Sequence, residues 1–180
     1  FYYDGGDTSS YFRLILMMRD VWDMAPREYV HIMLSSADEM GHPYLEQFFS
    51  YGFLYILFFD KSTALLIKMG SVLGFLCFNS YIVISFVFTA FSFLGCWKIY
   101  KVFYELYPAL HKELAIAILF VPSVCFWGSG FMKEPLCIGA LGIFFYSLNS
   151  LIYKRKRILL HLVLLVVMVN ILTTVKVYIL

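Results

Sequence analysis

The chain has 180 residues, of which 62% are hydrophobic and only 14% are charged, with a formal net charge of +2. Globular domains are about half apolar and about a quarter charged, so this composition excludes an ordinary soluble domain and predicts an all-α, polytopic membrane protein. The basic residues are spread over loops, so they do not predict a nucleic-acid partner. The chain begins at Phe1 and ends inside an apolar run; we expect a fragment of a longer protein.

Residues 1–61 are predicted to form an extracytoplasmic loop with short interfacial helices. Asp7-Thr-Ser-Ser is typical of a helix N-cap, and the following LILMMRDVWDM mixes charges with large apolar side chains, as in a helix that lies at a membrane interface. A second short helix is predicted over Arg27–Met40. The apolar stretch Gln47–Phe59 is too short to cross a hydrocarbon layer of about 30 Å.

Residues 62–180 are predicted to be the transmembrane region. The segment 62–78 carries Lys68 at its centre, and because a central lysine is costly in lipid, an interfacial position is favoured over a spanning one. The remaining apolar segments are expected to span the membrane; they are 80–97, 114–127, 135–153 and 158–180.

Loop charges predict the orientation of these segments. The basic cluster Lys154-Arg-Lys-Arg157 is expected in the cytoplasm, together with the stretch Lys98–Lys112. The loop Pro122–Pro135, PSVCFWGSGFMKEP, is then extracytoplasmic. Two interpretations of this loop remain open: a solvated turn between two spans, or a binding loop whose lysine and backbone amides hold an anionic group.

Helix rise places a further lysine at the same level. Lys176 is nineteen residues beyond Arg157, about 28 Å at ~1.5 Å per residue, so it should emerge on the outer side, level with Lys133. The predicted topology gathers six charged side chains at this surface: Asp4, Asp7, Arg13, Lys133, Glu134 and Lys176. Tyr11, which follows Asp7, is a further candidate for substrate binding.

This set predicts chemistry on a lipid-linked phosphosugar. Asp7, with Asp4 as the second candidate, would be the general base, and Lys133 and Lys176 would bind phosphate. The alternative is that Asp4-Gly-Gly-Asp7 is a turn with a helix cap, and that the lysines are interfacial anchors. The two acids indicate a divalent metal only weakly, and no other cofactor is expected.

Three short motifs resemble membrane glycosyltransferases of the GT-C superfamily. DGGDTSSYF is similar to their first outer loop, in which an Asp after the first span is the usual catalytic base; IKMGSVLG at 67–74 is similar to their L-R-x-x-S segment, with Lys68 in place of Arg. FVPSVCFWGSGFMKEP resembles their L-x-P segment followed by a loop that carries a basic residue and an acid. The usual Asp-Glu pair is here Asp4-Gly-Gly-Asp7, which leaves both acids as candidate bases.

The resemblance implies a multi-pass enzyme of the bacterial inner membrane. It would transfer sugar from a polyprenyl-phosphate-linked donor to a glycan or lipid acceptor during cell-envelope assembly. The Asp-Thr-x-x-Tyr pattern is also similar to polysaccharide polymerases of the Wzy and EpsG type. The alternative from another class is a transporter or flippase, in which Lys68, Asn170 and Lys176 would line the pathway.

Overall fold

The computed structural model describes residues 7–34, 60–154 and 157–176, and it confirms the all-helical class: these ranges contain no strand. A 3₁₀ turn at Pro108–Leu110 precedes the fifth helix, and a π-helical turn at Ser150–Lys154 continues the seventh. The helices are α1 Asp7–Met24, α2 Pro26–Leu34, α3 Lys61–Leu76, α4 Tyr81–Leu106, α5 His111–Leu119, α6 Pro122–Trp127, α7 Lys133–Asn149 and α8 Ile158–Val175.

Three helices of the described chain are long and apolar enough to cross a membrane. They are α4, α7 together with its π-helical turn, and α8, with 26, 22 and 18 residues. The helix α3 has 16 residues and is not among them. The chain folds as two units, Phe1–Ile84 and Ser85–Leu180, so α4 begins in the first unit and continues through the second.

The helix boundaries differ from the sequence expectation at two places. The predicted segment 80–97 is only the first part of α4. The predicted segment 114–127 is divided into α5 and α6, because Pro122 has no amide proton and the residue before it, Val121, is extended. The end of the predicted second helix, Arg27–Met40, and the stretch Gln47–Phe59 lie outside the described residues.

The first unit is built on an apolar stripe of α1. Leu14, Met18 and Val21 recur at the spacing that places side chains on one helical face, and all three are buried. They pack with Tyr29 and Ile32 of α2 and with α3. The face of α1 predicted to meet a lipid interface therefore packs against protein.

A buried hydrogen bond joins α2 to α3 within this core. The hydroxyls of Tyr29 and Ser71 lie 3.0 Å apart, so each polar group is satisfied away from water. The ring of Tyr29 also contacts Trp22 and Phe75 edge to face, with centroids 5.3 and 5.7 Å away. Side chains from all three helices thus meet at one tyrosine.

The start of α3 is fixed by Asp60. Its carboxylate accepts hydrogen bonds from the backbone amides of Ser62 and Thr63, at 3.1 and 3.2 Å, and from both hydroxyls. Two of the amides that a helix start leaves without intrahelical partners are thereby satisfied.

In the second unit, α4 and α7 run parallel. Near the start of α4, Thr89 accepts a hydrogen bond from the amide of Gly130, which precedes α7. Near its end, Glu105 accepts one from the ammonium of Lys154, which follows α7, at 2.6 Å. The connection 107–132 must therefore return along the length of both helices.

The return is made by α5 and α6. These helices have nine and six residues and rise about 22 Å together, close to the ~24 Å of helix between Thr89 and Glu105. Neither helix buries a side chain. The segment 114–127, predicted as a span, is thus a broken and exposed element and is not among the three helices long enough to cross a membrane. Because α8 packs on α7 after a short connection, it runs in the opposite direction.

Close backbone contact holds α4 against α7. A Cβ built on Gly142 would lie 2.1 Å from the carbonyl oxygen of Gly95, and one built on Gly95 would lie 2.6 Å from the Cα of Gly139. Real Cβ atoms do not approach this closely. Only glycine allows this crossing, as is typical of apolar helices that associate through small residues.

We expect Gly142→Ala to destabilise the protein. The added methyl gains about 1 kcal/mol in helix propensity, but it meets a backbone carbonyl rather than a movable side chain, and overpacking costs about 1–3 kcal/mol. The apparent melting temperature in detergent should fall. Val166→Ile adds one methylene at a side chain that is 60% exposed and should leave it unchanged. A melting temperature of Gly142→Ala equal to the parent's would contradict the close contact.

Candidate functional site

The glycine-rich loop before α7 is anchored to α4. Phe131 is completely buried, and its ring packs edge to face on Phe88 with the centroids 4.9 Å apart. The amide of Gly130, whose φ is +95°, donates to the hydroxyl of Thr89 at 3.1 Å. A positive φ of this kind favours glycine. This loop is therefore held in one conformation by α4.

Gly128 makes the second close contact of the loop. A Cβ at this position would lie 2.5 Å from the carbonyl oxygen of Val124 and 2.8 Å from the hydroxyl oxygen of Ser92. The hydroxyl of Ser129, by contrast, is exposed and bonds the carbonyl of Phe126 at 2.9 Å. The loop therefore contacts α4 at its glycines, whereas the side chain of its serine is exposed.

Two charged residues open α7 directly after this loop. Lys133 and Glu134 are its first residues, and Pro135 follows at a position in the first turn where its missing amide proton is tolerated. No side chain caps this helix start. A carboxylate in the first turn interacts favourably with the helix dipole, so the position of Glu134 is stabilised locally.

The end of α8 meets the start of α7 through an ion pair. The ammonium of Lys176 donates to Glu134 at 3.1 Å, and the two side chains are 26% and 30% exposed. This confirms the level predicted for Lys176 from helix rise. Cys137, one turn into α7, lies within electrostatic range of Lys176, Glu134 and Lys133. We call Lys133, Glu134 and Lys176 the charged cluster.

The other predicted site residues belong to the first unit. Asp7 is the first residue of α1 and is exposed, while Tyr11, one turn later, packs in part against the apolar core. Arg13 is exposed and lies about 120° around the helix from Asp7. The structure therefore does not bring Asp7 and Arg13 together on one face. Asp4 lies outside the described residues.

Of the residues named for a transport pathway, Lys68 lies on α3, whereas Asn170 and Lys176 lie on α8 and at its end. Lys68 is half-buried on α3, and burial lowers its pKa from the ordinary value because the ammonium loses hydration. Asn170 is exposed on α8, and its backbone carbonyl accepts hydrogen bonds from the hydroxyls of Thr173 and Thr174. Where side chains are described, no group of three His, Cys, Asp or Glu residues is placed to hold a metal ion.

The residues that anchor the loop were not predicted from the sequence. Thr89, Ser92 and Phe131 orient the start of α7, although none of them carries charge. One signal was present: Ser85, Thr89 and Ser92 recur at helical spacing in an otherwise apolar segment, and small polar residues at that spacing are typical of a helix–helix contact within a membrane.

Comparisons with known proteins do not identify the chain: no protein-family model matches it, and neither a curated protein nor a solved structure matches it significantly.

We expect the ion pair between Lys176 and Glu134 to contribute to stability. A double-mutant cycle with Lys176→Gln and Glu134→Gln, followed by thermal unfolding in detergent, should give a coupling energy of about 0.5–1 kcal/mol, the upper part of the range for partly exposed pairs. The control cycle uses Arg19 and Asp23, a more exposed i,i+4 pair at 3.3 Å, and should give about 0.3–0.5 kcal/mol. Zero coupling for Lys176 and Glu134 would show that the pair does not hold α8 to α7.

Proposed function

We propose that this chain is part of a multi-pass membrane glycosyltransferase that takes sugar from a polyprenyl-phosphate-linked donor. The membrane part of the proposal is supported by where apolar side chains lie. Leu159, Val163 and Val166 of α8 and Phe86 and Phe93 of α4 are all exposed. Helices that are apolar all round and exposed are stable in lipid or against further protein, but not in water.

The observation that carries the enzymatic part is the charged cluster. Lys176 and Glu134 pair at the start of an apolar helix whose first residue is Lys133, beside a loop that α4 holds in place. The cluster supplies two ammonium groups and one carboxylate, and the N-terminus of α7 adds the positive end of a helix dipole. A phosphate at the boundary of the hydrocarbon layer needs this combination of charge and fixed geometry.

The proposed reaction is a direct displacement. The carboxylate of Asp7, or of Asp4, removes the proton of an acceptor hydroxyl while its oxygen attacks the anomeric carbon of the donor sugar. The bond between that carbon and the phosphate oxygen breaks, and polyprenyl phosphate leaves. Lys133 and Lys176 stabilise the negative charge that develops on the leaving phosphate, and Glu134 positions Lys176. Tyr11 and Arg13 are proposed to contact the sugar or the phosphate.

The same cluster would serve a Wzy- or EpsG-type polymerase, because that enzyme also releases a polyprenyl-linked phosphate at the outer face. The two functions differ in product. A single-sugar transferase yields one defined glycan, whereas a polymerase yields a ladder of repeat units. Product analysis by mass spectrometry on the full-length protein distinguishes them, and transport of the lipid-linked sugar without glycan product would favour the flippase alternative.

We expect Asp7→Asn to lower glycan formation by about two orders of magnitude, because it keeps the shape of the side chain and removes the base. Asp20→Asn is the matched control, since Asp20 is an exposed acid on the same helix, and it should retain parental activity. Turnover of a polyprenyl-linked donor by full-length protein in nanodiscs measures both. A loss in Asp4→Asn alone would move the role to Asp4, and full activity in both variants would exclude the proposed base.

Lys133→Gln should also lower turnover strongly, whereas Lys133→Arg should retain part of it because the charge survives with altered geometry. Lys112→Gln is the control, because it removes the same charge from an exposed position on α5. Such surface substitutions change the free energy of unfolding by no more than about ±0.5 kcal/mol. Parental kinetics in Lys133→Gln would return the loop 122–135 to the solvated-turn interpretation.

A further inference from the structure

A cavity of about 410 Å³ opens at the other end of α7, away from the charged cluster. This volume lies in the range of small-ligand sites. Lys133 and Lys154, at the two ends of the helix, are separated by about 31 Å of helical rise, so the two places are distinct. The cavity is lined by Lys98, Ile143, Tyr146, Ser150, Lys154, Arg157, Leu160, His161 and Leu164.

Two ammonium groups gather at one aromatic ring in this cavity. The Nζ atom of Lys98 lies 4.2 Å from the centroid of the Tyr146 ring, and the Nζ atom of Lys154 lies 5.5 Å from it. The ammonium groups are therefore within about 10 Å of each other, a distance at which like charges still repel at physiological salt. The ring stabilises each ammonium group, because cations are attracted to aromatic faces. It carries no negative charge that would neutralise them.

Among the described residues, the one carboxylate paired at this end offsets only part of the charge. Glu105 pairs with Lys154 at 2.6 Å. Lys98 and Arg157 have no carboxylate partner among the residues the structure describes, and Arg157 is exposed at the start of α8. The cavity therefore has an excess of positive charge next to the apolar side chains of Ile143 and Leu164.

Two residues that line the cavity also have buried polar atoms without a hydrogen-bond partner among the described residues. The hydroxyl of Ser150 belongs to a residue that is only 1% exposed, yet it has no hydrogen-bond partner within the described ranges. The Nδ1 atom of His161, on the facing helix, is likewise buried and unpartnered there. Buried polar groups are normally satisfied, and both of these residues line the cavity. A ligand with several acceptor oxygens would satisfy them together with the cations.

We propose that this cavity binds a phosphate group carried by an anionic ligand. Lys98 and Arg157 provide the charge, Ser150 donates a hydrogen bond from the cavity wall, and His161 donates one when its Nδ1 carries a proton. Leu160 and Leu164 continue the cavity along the apolar surface of α8, where an acyl chain fits. The phosphate comes either from the headgroup of an acidic phospholipid or from a water-soluble phosphate. Basic pockets between membrane helices are known to bind acidic lipid headgroups.

Thermal unfolding of the full-length protein in a neutral detergent tests the site. Phosphatidylglycerol, phosphatidylcholine with the same acyl chains, and sodium phosphate against sodium chloride at equal ionic strength are added in separate titrations. A rise in melting temperature with phosphatidylglycerol alone supports a lipid headgroup as the source. A rise with inorganic phosphate as well supports a soluble ligand. Equal effects of phosphatidylglycerol and phosphatidylcholine, with no effect of phosphate, would overturn the proposal.

Single substitutions test whether the ligand binds in this cavity. Arg157→Gln and Lys98→Gln should each raise the half-saturating concentration of the active ligand about tenfold, as expected when one charge-assisted contact is lost. Lys101→Gln is the matched control, because Lys101 is on the same helix but stacks over Trp97 at 5.8 Å outside the cavity; it should leave the concentration unchanged.

Ser150→Ala separates binding from folding. It removes a hydroxyl that no described residue satisfies, so the ligand-free protein should melt at the same temperature or higher, while ligand binding weakens. If Arg157→Gln and Ser150→Ala bind like Lys101→Gln, the phosphate site does not exist. The enzymatic proposal would be unaffected by that result, since it depends on the opposite end of α7.

Discussion

The close contact between the backbones of α4 and α7 determines how the helices of the second unit are arranged. Gly95, Gly139 and Gly142 let the two helices approach so closely that a Cβ atom at any of the three would clash with the facing helix. At this distance dispersion contacts are numerous, and they do not depend on water, which matters where the hydrophobic effect supplies no force between apolar helices. Because the contact fixes the two helices side by side, it also fixes which ends coincide. Thr89 meets Gly130 at one end, and Glu105 meets Lys154 at the other.

Parallel packing of α4 and α7 requires a long connection between them. The connection must cover the full helix length, and here it does so with α5 and α6, which bury no side chain. Pro122 divides this arm, because it has no amide proton and the residue before it, Val121, is extended. The arm is therefore broken as well as exposed, and its apolar side chains, such as Ile116 and Phe126, are left for lipid or further protein to cover.

The sequence was sufficient to predict features that follow from the length of an apolar segment and from the helical rise per residue. The helical class followed from apolar runs, and the meeting of Lys176 with Glu134 followed from counting residues along α8. The sequence was not sufficient to predict features that depend on which helix faces pack against each other. Gly95 and Gly142 are two of eleven glycines, and a single sequence does not show which of them touch. Likewise, the continuation of α4 past Lys98 brings Lys98 onto Tyr146 and Glu105 onto Lys154, and a single sequence does not show these contacts.

The two ends of α7 are both charged, but their charges are balanced differently. At the start, Glu134 pairs with Lys176 through two different helices, so the ion pair closes α8 onto α7. At the end, the structure describes three basic side chains, Lys98, Lys154 and Arg157, and one paired carboxylate, that of Glu105. Basic residues are retained on the cytoplasmic side of membrane helices. In the proposed topology the basic cavity therefore lies at the inner face, where acidic lipids would be available, and the charged cluster lies at the outer face, where the proposed lipid-linked donor would reach it.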